Sequence, residues 1–135
     1  MAIKTPVHSE TLPTRMFSRG LKVSNFSELF LISGCGDLGS GYRVRHPGDP
    51  VAQTRHILTD VETFLEQAGY SIDDIIRMEL TFTKDVDRTQ YDDIFDLIIE
   101  FFAHVAVRPA TGTLRIVDAL AFPDMLVEYE FVVAK

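Results

Sequence analysis

Leu126-Val127-Glu128-Tyr129-Glu130-Phe131-Val132-Val133 reads as a strand with two unlike faces. Side chains alternate across extended backbone, so Val127, Tyr129, Phe131 and Val133 share one side, while Glu128, Glu130, Val132 and Ala134 share the other. The first side is wholly apolar and is expected to face helices. The second begins with two carboxylates and then turns apolar, which a freely solvated face would not do. Upstream, Arg108-Pro109-Ala110-Thr111-Gly112-Thr113-Leu114 turns from a helix into another strand.

Two helices precede that turn. Asp49-Pro50 places an acidic cap before a proline at the first helical position. From there Val51, Thr54, Ile57, Leu58, Val61, Phe64, Leu65 and Ala68 recur at three- and four-residue spacing, and Gly69 supplies the stop. Asp87 is expected to cap a second helix, whose apolar face runs from Tyr91 through Ile94, Phe95, Ile98, Phe101 and Phe102 to Val105. Between the helices, Ile76, Met78, Leu80 and Phe82 alternate with Arg77, Glu79, Thr81 and Thr83 as a strand.

An extended segment over Met16 to Val23 and a strand over Leu29 to Ser33, expected to be buried on both faces, come earlier. Two closing strands span about Thr113 to Leu120 and Met125 to Ala134. Residues 1–14, with two prolines and no periodicity, are expected to form a loose arm. The pattern predicts one α+β domain over residues 1–135, its mixed sheet covered on one face by two helices. The other face, apolar in part, calls for a second protein surface.

Thirteen basic residues against twenty acidic ones leave a formal charge of -7, which disfavours nucleic acid as a partner. Arg43-Val44-Arg45-His46 is the only basic cluster and reads as a solvated loop. No apolar run approaches the roughly 20 residues of a membrane span. One cysteine and no apolar leader lead us to expect a cytoplasmic protein.

Few residues carry chemistry. Glu128 and Glu130 lie two apart on one face, roughly 6 to 7 Å from each other, where one carboxyl can raise the pKa of the other. The alternative is an interfacial or solvated pair balanced by Arg77 or Arg115. Cys35 is either an exposed nucleophile among glycines or a small buried side chain. His8, His46, His56 and His104 are scattered, so no metal is expected. Gly34 to Gly41 is glycine-rich, yet no Gly-Lys-Ser/Thr follows, and no cofactor is expected. Thr111-Gly112-Thr113 is either an anion-binding turn or an ordinary entry into a strand.

Phe30-Leu31-Ile32-Ser33-Gly34, Gln53-Thr54, Phe64-Leu65-Glu66-Gln67-Ala68-Gly69, Thr83-Lys84-Asp85, Phe101-Phe102, Arg108-Pro109-Ala110-Thr111 and Val127-Glu128-Tyr129-Glu130 follow one another in order. Together they resemble the Rid family, also called the YjgF/YER057c/UK114 or L-PSP family, from about Phe17 to Ala134. The resemblance implies a chorismate-mutase-like α+β domain, a homotrimer whose sheets form a central barrel, and a ligand cleft between neighbouring subunits. In deaminating relatives an arginine directly after Pro-Ala holds the substrate carboxylate; Thr111 stands there in this chain. A family tyrosine aligns with Phe17 and a family asparagine with Phe95. The Gly34-Cys35 backbone and the cleft glutamate, at Glu128, are kept.

The resemblance thus implies Glu128 as the catalytic residue, with Phe17, Gly34, Cys35, Phe95, Thr111 and Thr113 around a small-molecule ligand that can bear a carboxylate. Arg115, four residues beyond Thr111, is expected on the same side of a strand, about 13 Å along it. The implied activity is deamination of an enamine or imine, or a related hydrolysis. With Phe17 and Phe95 in polar positions the pocket is expected to be more apolar, suiting a cyclic or aminomuconate-type substrate. A non-catalytic ligand-binding or protein-stabilising trimer is the second reading. An endoribonuclease, which some relatives have been described as, is disfavoured by the charge.

Overall fold

The computed structural model describes residues 1–135. Its strands are β1 (Ile3–Val7), β2 (Gly20–Ser24), β3 (Leu29–Cys35), β4 (Ile75–Thr83), β5 (Ala110–Thr111), β6 (Arg115–Val117) and β7 (Val127–Ala134). Its helices are α1 (Pro50–Ala68) and α2 (Tyr91–Phe101).

Local chemistry sets the helix limits. The Asp49 side chain accepts from the Ala52 N–H at 2.9 Å, and Pro50 opens α1. At the other end Gly69 takes φ 82°, its N–H donating to the carbonyls of Glu66 and Leu65. That left-handed turn strains any residue with a Cβ. Asp87 caps a short 3-10 turn (Arg88–Gln90) that leads into α2, accepting from the Thr89 N–H at 2.9 Å. Helix α2 ends at Phe101, short of the expected Val105.

The main sheet runs β3-β7-β4, with β5 and β6 both beside the far edge of β4. Strand β7 is antiparallel to both β3 and β4, whereas β5 and β6 run parallel to β4. Helices α1 and α2 cover one face. There Val127, Tyr129, Phe131 and Val133 of β7 pack with Ile57, Val61, Ile94 and Ile98 in one core. The Tyr129 hydroxyl is fully buried and lies 2.5 Å from Thr54 Oγ1. Since Thr54 donates to the Pro50 carbonyl, it accepts from Tyr129, and both hydroxyls are satisfied.

Three expectations are corrected. Residues 3–7 are not a loose arm: they pair antiparallel with β2, register Ile3↔Ser24 to Val7↔Gly20. Strand β3 is buried on one face only, for Ile32 is in the core while Leu29 and Leu31 are 51% and 69% exposed. The strand expected over Thr113 to Leu120 is only Arg115–Val117, preceded by the separate Ala110–Thr111.

Candidate functional site

The uncovered sheet face carries the candidate chemistry. Thr81 of β4 pairs with Glu128 of β7, Glu79 with Glu130, and Arg77 with Val132. Glu79 and Glu130 are thus like charges directly opposite each other. Arg77 offsets one, its Nη2 donating to Glu79 Oε1 at 3.0 Å. Leu31 pairs with Val132 and extends the apolar end of the face.

Glu128 is half-buried against β3. Between Ile32 and Cys35 the β3–β7 register slips, three steps on β3 matching two on β7. A Cβ built on Gly34 would sit 2.9 Å from Glu128 Oε1, so glycine is what lets the carboxylate lie along that backbone. Burial, and then the neighbouring Glu130, hold the Glu128 carboxyl above the usual carboxylate range. A carboxyl so placed passes more readily between acid and base than a solvated one.

Cys35 is buried, with Sγ 3.2 Å from the Ser33 carbonyl. Burial, with Asp60, Glu128 and Glu130 adding to it, pushes the thiol up to about 11. At neutral pH it is a thiol, inert as a nucleophile. With Gly34 it lines a groove of about 550 Å³ between β3 and Asp60, Phe64 and Gln67 of α1.

A second cleft, of about 530 Å³, lies at the opposite edge of the sheet and brings together Phe17, Thr111, Thr113 and Arg115. Ser18 fixes its rim, the N–H donating to the Pro109 carbonyl (3.0 Å) and the hydroxyl to the Arg108 carbonyl (2.7 Å). Thr111 and Arg115 do not share a side of the strand. Thr111 pairs with Met78, on the helix-covered side, while Arg115 pairs with Thr81, on the open side. Four steps from Thr111 to Arg115 thus match three on β4, and the extra residue reverses the alternation. Arg115, Thr81 and Glu128 form one row across three strands, Arg115 and Glu128 being about 10 Å apart at Cα.

Two further expectations fail at this cleft. Phe17 is its only hydrophobic lining residue, and its ring is buried edge-on to Phe102, so the cleft is polar rather than apolar. Phe95 is not part of it; that ring packs with Phe82 and Tyr91 and faces a separate surface cleft beside Met16. On one chain the expected residues therefore fall into two groups, Gly34, Cys35 and Glu128 towards one edge, and Phe17, Thr111, Thr113 and Arg115 at the other.

One cluster escaped the sequence. Asp37, fully buried, accepts from the His46 N–H at 2.8 Å and lies 2.9 Å from His46 Nδ1. His56 Nδ1 stands 2.7 Å from its other oxygen, misaligned for a hydrogen bond. Arg45 is 2.9 Å from His56 Nε2; as arginine only donates, the neutral ring carries its proton on Nδ1, towards Asp37. Arg43, Arg45 and His46 are exposed, as expected of a solvated loop, and these contacts tether Arg45 and His46 to α1 and to buried Asp37. An aspartate in a glycine-rich loop, with two distant histidines, was the available signal. No group of three or more His, Cys, Asp or Glu is arranged to hold a metal, and no helix is long and apolar enough to cross a membrane.

Comparison with known proteins follows the same lines. The profile of a family described as Endoribonuclease L-PSP matches residues 9–135. The chain is 32% identical over 97 residues to 3-aminoacrylate deaminase RutC of Acinetobacter baylyi, covering 72% of this chain and 71% of RutC. Among solved structures, the Rid-family protein YyfB of Yersinia pestis superposes with a TM-score of 0.85 at 21% identity, covering 98% of each chain. Rv2704 of Mycobacterium tuberculosis, described as a member of the YjgF/YER057c/UK114 family, superposes at 0.63 with 27% identity, covering 98% of this chain and all of that one. A profile match over nearly the whole chain, on the two-helix mixed sheet just described, places it plainly: this chain belongs to the endoribonuclease L-PSP family, the Rid or YjgF family.

Proposed function

We propose that the chain is a hydrolytic deaminase of enamines or imines, working in the cytoplasm as a homotrimer with its sites in clefts between subunits. The observation that carries the reading is Glu128, a half-buried carboxyl with a raised pKa, pressed against the Gly34 backbone on the open face. Likeness to a relative named for 3-aminoacrylate deamination supports the reaction class. The apolar Leu29, Leu31 and Val132 on the same open face support burial against other copies.

The chemistry asks little of the protein. An enamine first takes a proton on carbon and gives one up from nitrogen to become the imine. Glu128, ionised, removes a proton from water as its oxygen bonds to the imine carbon and the C=N electron pair moves to nitrogen. The protonated Glu128 returns that proton to nitrogen. Glu128 then takes the hydroxyl proton of the carbinolamine and passes it to nitrogen as the C–N bond breaks, C=O forms, and ammonia leaves. A carboxyl whose pKa is raised serves both steps.

The test is ammonia release from imines generated in place by an amino-acid oxidase. We expect acceleration over buffer, lost in Glu128→Gln while the trimer persists in sedimentation. No acceleration with any imine would remove the enzyme reading. Thr111, where deaminating relatives have arginine, favours a second reading, a ligand-binding trimer without turnover; it predicts carboxylate binding unaccompanied by ammonia release.

A further inference from the structure

Three guanidinium groups, those of Arg19, Arg77 and Arg115, line the cleft beside Thr111, and no carboxylate lines it. This runs against a molecule whose formal charge is -7. Arg19 and Arg115 pair with no acidic side chain; Arg77 alone does, with Glu79. Three cations against that one carboxylate leave a local charge of about two positive units.

The cations are spread along the cleft. Arg77 is in register with Ala110, and Arg115 with Thr81, four residues further along β4 on the same open side. Their Cα atoms are therefore about 14 Å apart, and long side chains at each end can close on a ligand a few bonds long. Gly112 makes room for one of them: a Cβ there would sit 3.0 Å from Arg77 Nη2 and 2.8 Å from Glu79 Oε1. Between the ends, the Thr113 N–H makes no backbone hydrogen bond and is free to donate.

We infer that this cleft takes a small ligand with two separated carboxylates. The enamine or imine that the protein hydrolyses is then derived from a dicarboxylic acid. The part concerning hydrolysis rests on the deaminase reading; the dicarboxylate site rests on the arginines. Guanidinium pairs bidentately with a planar carboxylate, and two such groups at opposite ends select length as well as charge. A compact dianion such as phosphate satisfies one end only. The single anchor that deaminating relatives place at Thr111 is thus replaced here by a divided one.

The test is calorimetric titration of the intact protein with glutarate, butyrate and inorganic phosphate, matched in ionic strength. Glutarate is expected to bind about tenfold or more tightly than butyrate, and more tightly than phosphate. Arg115→Gln and Arg19→Gln should each erase most of that preference, while Arg55→Gln, on the exposed side of α1, leaves it unchanged. Equal affinity for glutarate and butyrate, preference for phosphate, or an undiminished preference in Arg115→Gln would overturn the inference. Ammonia release separates the two claims. Selective glutarate binding with no turnover of any imine removes the deaminase but keeps the site. Equal turnover of imines from monocarboxylic and dicarboxylic amino acids keeps the deaminase and removes the dicarboxylic substrate assignment.

Discussion

Gln53 offers the sharpest test of how the fold is held. Its amide is fully buried at the start of α1 and makes three hydrogen bonds to backbone, two of them more than 70 residues away in sequence. Nε2 donates to the carbonyls of His46 (2.9 Å) and Asp124 (3.0 Å), and Oε1 accepts from the Leu126 N–H (3.0 Å). One side chain thus ties the Asp37–His46 loop, α1 and the entry to β7 together. Gln53→Leu keeps the volume and removes all three bonds. At about 0.5–1.5 kcal/mol net each, the loss centres near about 3 kcal/mol. Unfolding entropy of about 2 cal/mol/K per residue makes 1 kcal/mol worth roughly 3.5 °C in a chain of this length. The melting temperature should fall by about 10 °C at equal protein concentration, with a lower urea midpoint and an unchanged slope. Hydrogen exchange at the Leu126 amide should accelerate in the same variant. A shift under about 3 °C, roughly 1 kcal/mol, would show that water replaces the amide without loss and refute the clamp.

Other consequences are open to simpler measurement. Glu128 has its folded pKa raised, so in the window between its ordinary value and that raised value the native state binds more protons than the unfolded one. Stability then falls as pH rises through the window. Glu128→Gln should abolish that dependence and melt higher than the parent at neutral pH while losing ammonia release; a lower melting temperature would contradict the burial argument. Cys35, with its thiol near 11, should resist iodoacetamide at pH 7 in the native protein and react once unfolded in urea. Rapid native labelling would show that it is neither buried nor protonated. Leu31→Asp puts a charge on the open face; sedimentation should show dissociation to subunits with helical circular dichroism retained, and an unchanged assembly would remove that face from the interface.

Much of the architecture was legible because its causes are local. Asp49-Pro50 and Gly69 mark the ends of α1 through capping and a positive φ, chemistry confined to a few neighbouring residues. The alternation in β7 told which side chains enter the core, and Val127, Tyr129, Phe131 and Val133 are all buried there. Strand β1 was missed because Ile3–Val7 carries a proline and owes its conformation to a partner more than ten residues away. The Asp37, His46 and His56 cluster was missed for a related reason: a loop and a helix face must meet before a carboxylate and two imidazoles become one unit.

The sequence by itself determined the helices and the sheet face that meets them, since each follows from spacing within a single segment, while Glu128 was singled out from its pair with Glu130 by the family resemblance. Only the tertiary structure decided which side of the sheet Arg115 occupies. Its orientation depends on one extra residue between Ala110–Thr111 and Arg115–Val117, counted against Met78 to Thr81 of the neighbouring strand. Strand register is a relation between two segments, and a slip of one residue sends a side chain to the opposite face. That is why Arg115 lies on the same open side as Arg77 in the cleft that both line.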